Sequence, residues 1–273
     1  MTTLVEFVHL GSGSYGEVWR AKDALGRNVA VKYMLTPTTE AQRTAIDHAS
    51  PLALLGHHPN VVFVYYCNYL PHPRSGTRMP AIVMEYIEGE TLRQRLERPI
   101  DLPTTLAIGD ALCNAITFIH SKGLMHGDLH EDNVMISPDG QVKVIDLLND
   151  RRFSEITSGH RRRGEVDDVE SIKAILDGAL KATGQIEVLQ QFEFGIRGIR
   201  NAVGVREVLS QLTSSKRSNP SEASVLSFLS NWNQVERVLN SLAGSSSEKT
   251  LSPLVHYPKS LLSRRKSKKS FTS

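Results

Sequence analysis

Three polar residues at short, fixed intervals carry the most chemistry in this chain. In His126-Gly127-Asp128-Leu129-His130-Glu131-Asp132-Asn133, the carboxylate Asp128 precedes the amide Asn133 by five positions. A second carboxylate, Asp146, closes the apolar run Val142-Lys143-Val144-Ile145, thirteen positions beyond Asn133. Phosphoryl transfer from a nucleotide needs such a set. One carboxylate orients or deprotonates the attacking hydroxyl, while an Asn and an Asp hold the magnesium ions that bridge the phosphates. Two features far upstream could supply the rest. Gly11, Gly13 and Gly16 give G-x-G-x-x-G, with Val18 two places on, and Lys32 ends the apolar stretch Val29-Ala30-Val31. Backbone without a Cβ can approach phosphates closely, and an ammonium at a strand end can reach their charge.

The elements around these residues decide how the glycines are read. A dinucleotide site places a strand before such glycines and a helix after them. Here they lie between two strand-like runs, Leu4–Val8 and Glu17–Arg20, which makes a hairpin. Asp23-Ala24-Leu25-Gly26 reads as a turn, and Val29–Lys32 as the next strand. Leu106, Ala107, Ala111, Ile116 and Ile119 give the stretch from Leu102 to Lys122 helical periodicity, and it runs directly into the His126 loop. Ser171–Leu180 and Val205–Leu212 have helical spacing too. Val225, Leu226, Phe228, Leu229, Trp232 and Val235 follow a plausible cap at Ser221.

Taken in order, Leu10-Gly-Ser-Gly-Ser-Tyr-Gly-Glu-Val18, Val29-Ala-Val-Lys32, His126-Gly-Asp-Leu-His130 with Asn133, and Asp146 resemble the Gly-rich loop, the nucleotide-binding lysine strand, the catalytic loop and the metal loop of the protein kinase superfamily. His57-His-Pro-Asn-Val-Val62 resembles the segment entering the fourth strand of that fold, and Ala81–Gly89 the fifth strand and hinge. The resemblance covers roughly residues 4 to 180. It implies an α+β, two-lobed fold, with an antiparallel sheet and one helix over about residues 1–85 and a minimal, mainly helical lobe over about 90–243. ATP and Mg2+ are implied in the cleft between them. Leu10, Gly11, Gly13, Gly16, Val18 and Ala30 would surround the nucleotide, and Lys32 would grip the phosphates. Met84 would be the gatekeeper, with Glu85 and Ile87 offering backbone groups to adenine and Glu90 or a neighbour reaching the ribose. Asp128 would orient the acceptor hydroxyl, Asn133 and Asp146 would hold magnesium, and His126 and Asp168 would support the loop. The implied activity is transfer of phosphate from ATP to Ser or Thr of proteins. The alternatives are a small-molecule kinase, since H-G-D also occurs in kinases of hydroxylated small molecules, and a nucleotide-binding pseudokinase scaffold. Leu129-His130-Glu131 does not resemble the tyrosine-kinase loop.

Several positions depart from the pattern. Gly127 stands where an Arg usually pairs with an activation-loop phosphate, so the enzyme is expected not to depend on that phosphorylation. His130 replaces a Lys that would lie near the γ-phosphate; it could donate there, or be a structural His bonded within its loop. The helix Glu that pairs with the strand Lys would fall at Ala49, and only Glu40 and Asp47 are acids in that stretch, which leaves Lys32 without its usual partner. Leu147-Leu148 replace Phe-Gly after Asp146, and no A-P-E precedes Asp168, 22 positions on. Asp167-Asp168-Val-Glu-Ser171 reads as a helix start, and Arg161-Arg162-Arg163 as a basic loop that is solvated or holds an acidic group.

Composition sets the outer bounds. The chain has 273 residues, 40% of them hydrophobic, and a formal net charge of +3. Lys259, Arg264, Arg265, Lys266, Lys268 and Lys269 lie in the last fifteen residues; without those six charges the remainder carries −3. With Ser245-Ser246-Ser247 upstream, residues 244–273 read as a flexible basic tail. It could be simply solvated, could meet an anionic surface such as lipid or nucleic acid, or could be phosphorylated at Ser267 and Ser270. Cys67 and Cys113 are far apart without metal-ligand spacing. The N-terminus shows no signal pattern and no apolar run reads as a membrane span, so a cytoplasmic enzyme with a protein or small-molecule acceptor is expected. The oligomeric state is not legible.

Overall fold

Alternation of side chains with period two builds the first half of the fold. In the computed structural model, residues 4–13, 16–34, 55–147 and 158–215 are described. β1 (Val5–Gly13), β2 (Gly16–Lys22), β3 (Asn28–Met34), β4 (Val64–Pro71) and β5 (Arg78–Glu85) form one antiparallel sheet in the order β1-β2-β3-β5-β4. On one face Trp19, Val29, Val31, Tyr33, Ala81 and Val83 are buried together, closed over by Phe7, Leu70 and Met79. The Tyr33 hydroxyl donates to Pro71 O at 2.9 Å, which satisfies its polar end within this apolar layer. The intervening positions Val18, Ala30, Lys32, Ile82 and Met84 face the other way, into a cleft. The turn at Asp23–Gly26 forms as its sequence predicts: Gly26 N donates to Asp23 O at 2.9 Å, and Asp23 Oδ1 accepts from Leu25 N and Arg27 N.

The second half is helical around a small sheet. α1 (Leu92–Leu96) opens with a capping box between Thr91 and Gln94. α2 (Leu102–Ser121) is capped by Asp101, whose side chain accepts from Thr104 N at 2.9 Å. Its apolar stripe, including Leu106, Ile108, Leu112, Ile116 and Ile119, is buried. α2 meets α3 (Ser158–Ala182), α5 (Ala202–Ser215) and a short strand, β8 (Val142–Val144). By length and composition α2 is apolar enough to cross a membrane, but here it is the central helix of the lobe, and its apolar face is covered by those neighbours. β6 (Glu90–Thr91), β7 (Val134–Ile136) and β8 form a three-stranded antiparallel sheet beneath the cleft. The two-lobed α+β architecture expected from the motifs is therefore present.

Three elements differ from expectation. The helix holding Asp168 begins at Ser158 rather than near Asp167, so Arg161–Arg163 lie in a helix and not in a loop. Arg and Glu are strong helix formers, and no proline interrupts the stretch. α4 (Ile186–Gly195) was not anticipated; Ile186 and Phe194 are exposed, which blurs the apolar period that would reveal it. The sheet β6-β7-β8 joins segments too short to read as strands alone. The upper-lobe helix expected near Ala49, the residues from Leu148 to Thr157, the helix at Val225–Val235 and the basic tail lie outside the described residues.

Candidate functional site

The cleft between the two sheets is lined above by Leu10, Val18, Ala30 and Lys32 and at the back by Val62, Val64, Ile82 and Met84. Glu85, Tyr86 and Ile87 form its edge, and Met135, Ile145, Asp146 and Leu147 its floor. Walls so nearly apolar, with the Lys32–Asp146 ion pair set among them, suit a flat heteroaromatic ring carrying an anionic chain. Of the residues singled out from sequence, Leu10, Val18, Ala30, Lys32, Met84, Glu85, Ile87 and Asp146 converge here. Ile82 and Met135 were missed, although period two from Met84 and from Asn133 points to both. Val62 and Val64 lie beyond irregular backbone and gave no such signal.

The glycines occupy the hairpin over the cleft, where Gly11 pairs with Val18 and Gly13 with Gly16. Gly16 is required by the sheet itself: a Cβ there would stand 2.0 Å from Tyr33 O. The Glu85 amide donates to Phe63 O at 2.9 Å, so it is not available to a ligand in this arrangement. The Glu85 carboxylate accepts from Phe63 N at 2.8 Å and from Lys143 Nζ at 2.7 Å, which ties the cleft edge to β8. Glu90, considered for the ribose, is paired with Arg98.

Lys32 is buried at the charged end and forms an ion pair with Asp146. Sequence left this ammonium without its helix partner; among the described residues it pairs with the Asp146 carboxylate. Asp146 has φ +62°, a left-handed backbone conformation uncommon for a non-glycine residue. Such an outlier at the rim of a cleft is held in place by its surroundings. Two of these are visible: Ile145 N donates to Asn133 O at 2.9 Å, and Ile145 O accepts from His126 Nε2 at 2.9 Å.

The His126 loop hangs from Asp168. The Asp168 carboxylate, 1% exposed, accepts from His126 N at 2.8 Å, Gly127 N at 2.9 Å and His120 Nε2 at 2.8 Å. Gly127 has φ +78°, a left-handed conformation that explains a glycine at this position. His126 is fully buried, and its two ring nitrogens have separate tasks. Nε2 must carry the proton, since Ile145 O can only accept, and Nδ1 accepts from Asp128 N at 3.2 Å. Burial in the loop pushes its pKa below the ordinary histidine value. Asp128 itself is partly exposed, with its backbone fixed and its carboxylate 3.6 Å from His130 Nε2. Asn133 is buried and donates through Nδ2 to Asp128 O at 2.9 Å. His130 caps the 3-10 turn Glu131–Asn133, and Arg93 of α1 binds Asp132 at 2.6 Å and Glu131 at 3.2 Å.

Two ligands suited to a hard cation result, the Asp146 carboxylate and the Asn133 amide oxygen. The latter makes no hydrogen bond among the described residues. No group of three or more His, Cys, Asp or Glu side chains placed to hold a metal ion occurs among them either. Such a pair fits magnesium, which keeps most of its ligands as water and phosphate oxygens and does not require an all-protein cage.

Comparison with known proteins agrees with this geometry. Residues 4–156 match the family model described as the protein kinase domain. A probable serine/threonine-protein kinase of Streptomyces coelicolor is 36% identical over 149 residues, covering 50% of this chain and 21% of the relative. The serine/threonine-protein kinase PknB of Mycobacterium leprae is 35% identical over 159 residues, covering 55% of this chain and 24% of its own. A leaf rust 10 disease-resistance locus receptor-like protein kinase-like protein of Arabidopsis thaliana is 31% identical over 153 residues, covering 53% and 21% respectively. The matched stretch thus spans about a quarter or less of these relatives.

Proposed function

Because this chain belongs to the protein kinase family, we propose that it transfers the γ-phosphoryl group of ATP to Ser or Thr hydroxyls of proteins, with magnesium. The observation that carries this reading is the Lys32–Asp146 pair at the wall of one apolar cleft, with the loop of Asp128 and Asn133 tied through Asn133 O to Ile145 N, the residue before Asp146. The adenine ring would lie between Val18 and Ala30 above and Met135 below, beside Met84. Lys32 binds the phosphates once nucleotide displaces part of its attraction to Asp146. Asn133 and Asp146 would hold magnesium, which supplies charge neutralisation between the phosphates. Asp128 accepts a hydrogen bond from the attacking hydroxyl, directs its lone pair at phosphorus and takes up its proton as the new bond forms. His126 and Asp168 fix the backbone that aims this carboxylate.

Independence from activation-loop phosphorylation belongs to the same proposal. Gly127 provides no guanidinium to receive such a phosphate, while Asp168 already orders the loop through backbone bonds. Activity that survives complete phosphatase treatment is the expected result. A cytoplasmic setting is also proposed, supported by the two free thiols Cys67 and Cys113.

A small-molecule acceptor is the second reading. It is favoured by the start of α3 at Ser158, which leaves eleven residues after Asp146 in which to build a surface for a peptide. Incubation with ATP labelled at the γ-phosphate, with protein acceptors and with hydroxylated small molecules in parallel, separates the two. Label on protein Ser or Thr, lost in Lys32→Ala, supports the first. Label only on small acceptors supports the second. Nucleotide binding without turnover under any condition would contradict both and leave a pseudokinase scaffold.

A further inference from the structure

We propose that the turn between β4 and β5 sets the glycine hairpin over the phosphates of the nucleotide, with His72 and Arg74 as positioning residues that act through Glu17. The inference rests on the reading of the cleft as an ATP site. Glu17 stands between Gly16, the last glycine of the hairpin, and Val18, which lines the cleft. Side chains alternate along a strand, so Val18 faces the cleft and Glu17 the opposite face of the sheet. There its carboxylate is gripped. Glu17 Oε2 accepts from Trp19 Nε1 at 3.2 Å and from His72 Nε2 at 3.3 Å, and the Arg74 guanidinium stands 3.6 Å from Oε1. Trp19 is a neighbour on β2, but His72 lies 55 positions beyond Glu17. In the strand order β1-β2-β3-β5-β4, the β4–β5 turn must reach across β3 to meet β2.

The turn is built to hold this reach. His72 is 7% exposed; its amide donates to Thr77 O and its carbonyl accepts from Gly76 N, each at 2.9 Å. Its ring stands edge-on to those of Trp19 and Tyr33, with centroids 5.8 and 5.0 Å away, and Arg74 lies 4.9 Å over the Trp19 ring. The hairpin has less support of its own. A Cβ at Gly11 or Gly13 would meet nothing within 4 Å, so no described atom props those positions from that side. Gly16 and Glu17 pair with Met34 and Tyr33 at the end of the β2–β3 ladder. The glycines beyond project from the sheet, and their height over the cleft is set at this root. A satisfied polar network rigidifies the backbone that carries it, and this one is attached one residue from the glycines.

Glycine backbone meets phosphate, whereas adenine lies deeper in the apolar cleft, so the grip on Glu17 acts on the phosphate part of the ligand. The full chain and its variants are titrated by calorimetry with Mg-ATP and with adenosine, and the ratio of the two affinities is the readout. His72→Phe keeps an aromatic ring against Trp19 and Tyr33 and removes the donor. Glu17→Ala removes the acceptor, and His72→Gln returns a side-chain N–H. The expected result is a preference for Mg-ATP lowered about 3-fold or more in His72→Phe and in Glu17→Ala, at unchanged adenosine affinity, and recovered in His72→Gln. Arg74→Ala, at an exposed position, tests the same grip by the same ratio if His72→Phe does not fold. A preference unchanged in the variants, a Gln variant no better than Phe, or equal weakening of both ligands overturns the inference while leaving ATP binding standing. A wild type that binds adenosine as tightly as Mg-ATP overturns the triphosphate reading of the cleft and this inference with it.

Discussion

At the scale of single residues, the chemistry rests on groups whose protonation and direction are dictated by neighbours far away in sequence. His126 is the clearest. Its Nε2 proton goes to Ile145 O, and its Nδ1 lone pair is occupied by Asp128 N. Burial lowers its pKa from the ordinary value of 6.5. The unfolded chain therefore takes up a proton near pH 6.5 that the folded chain resists. Below that pH the unfolded state binds more protons, and stability falls as pH falls. Urea unfolding over a pH series should show this decline, and His126→Gln should flatten its slope below about pH 6.5; an unchanged slope would mean that His126 does not contribute. Asp168→Ala leaves the buried His126 amide, and with it the Gly127 amide and His120 Nε2, without their acceptor and should lower stability by about 2 kcal/mol by denaturant titration, with a loss of turnover larger than the loss of nucleotide affinity. Leu10, Val18, Ala30, Lys32, Met84 and Asp146, which line the cleft, were legible in sequence, because they belong to motifs of few residue types at fixed spacing. The partners of Lys32 and of Asp168 were less so. Lys32 meets Asp146 across more than a hundred residues, and His120 reaches Asp168 from the end of another helix.

At the scale of elements, α3 shows why boundaries escaped a reading of sequence while the helices themselves did not. Its apolar period is clear from Val169 to Leu180, where the helix is buried, and absent from Ser158 to Arg163, where the side chains placed are exposed. One of its three glycines, Gly164, has a contact reason. A Cβ there would stand 1.9 Å from Met125 Sδ, in the residue preceding His126. The helix backbone thus packs directly on the loop that holds Asp128. Gly164→Ala should gain helix propensity and lose more to overpacking, a net cost of about 1–2 kcal/mol. Thermal unfolding of the single variants and of the Gly164→Ala/Met125→Ala pair checks it: the pair should lose less than the sum of its parts. Strict additivity would show that the two positions do not press on each other.

At the scale of the whole molecule, the two sheets are joined at the back of the cleft. Val62 N donates to Val144 O, and Val144 N to Asn60 O, each at 2.9 Å, while Asn60 Nδ2 donates to Val142 O at 2.9 Å. The Glu85–Lys143 ion pair adds a charged link next to these, with Lys143 only 5% exposed. Lys143→Met leaves Glu85 with one donor, Phe63 N, and should cost about 2 kcal/mol, below the range for fully buried pairs because Glu85 retains contact with solvent. A larger fall in ATP affinity than in stability, measured by calorimetry, would show that the link also shapes the cleft. The two-lobed division was legible because the motifs fall in a fixed order on both sides of it. The link itself was not, since nothing in the sequence pairs Lys143 with Glu85, 58 positions earlier. The central claim is that this cleft transfers phosphate with Asp128 addressing the acceptor. It is tested most directly by comparing wild type and Asp128→Asn for Mg-ATP binding and for γ-phosphate transfer in the same samples. The account predicts equal nucleotide affinity and transfer reduced about 10²- to 10⁴-fold; transfer at the wild-type rate in the variant, or none in a wild type saturated with Mg-ATP and acceptor, would contradict it.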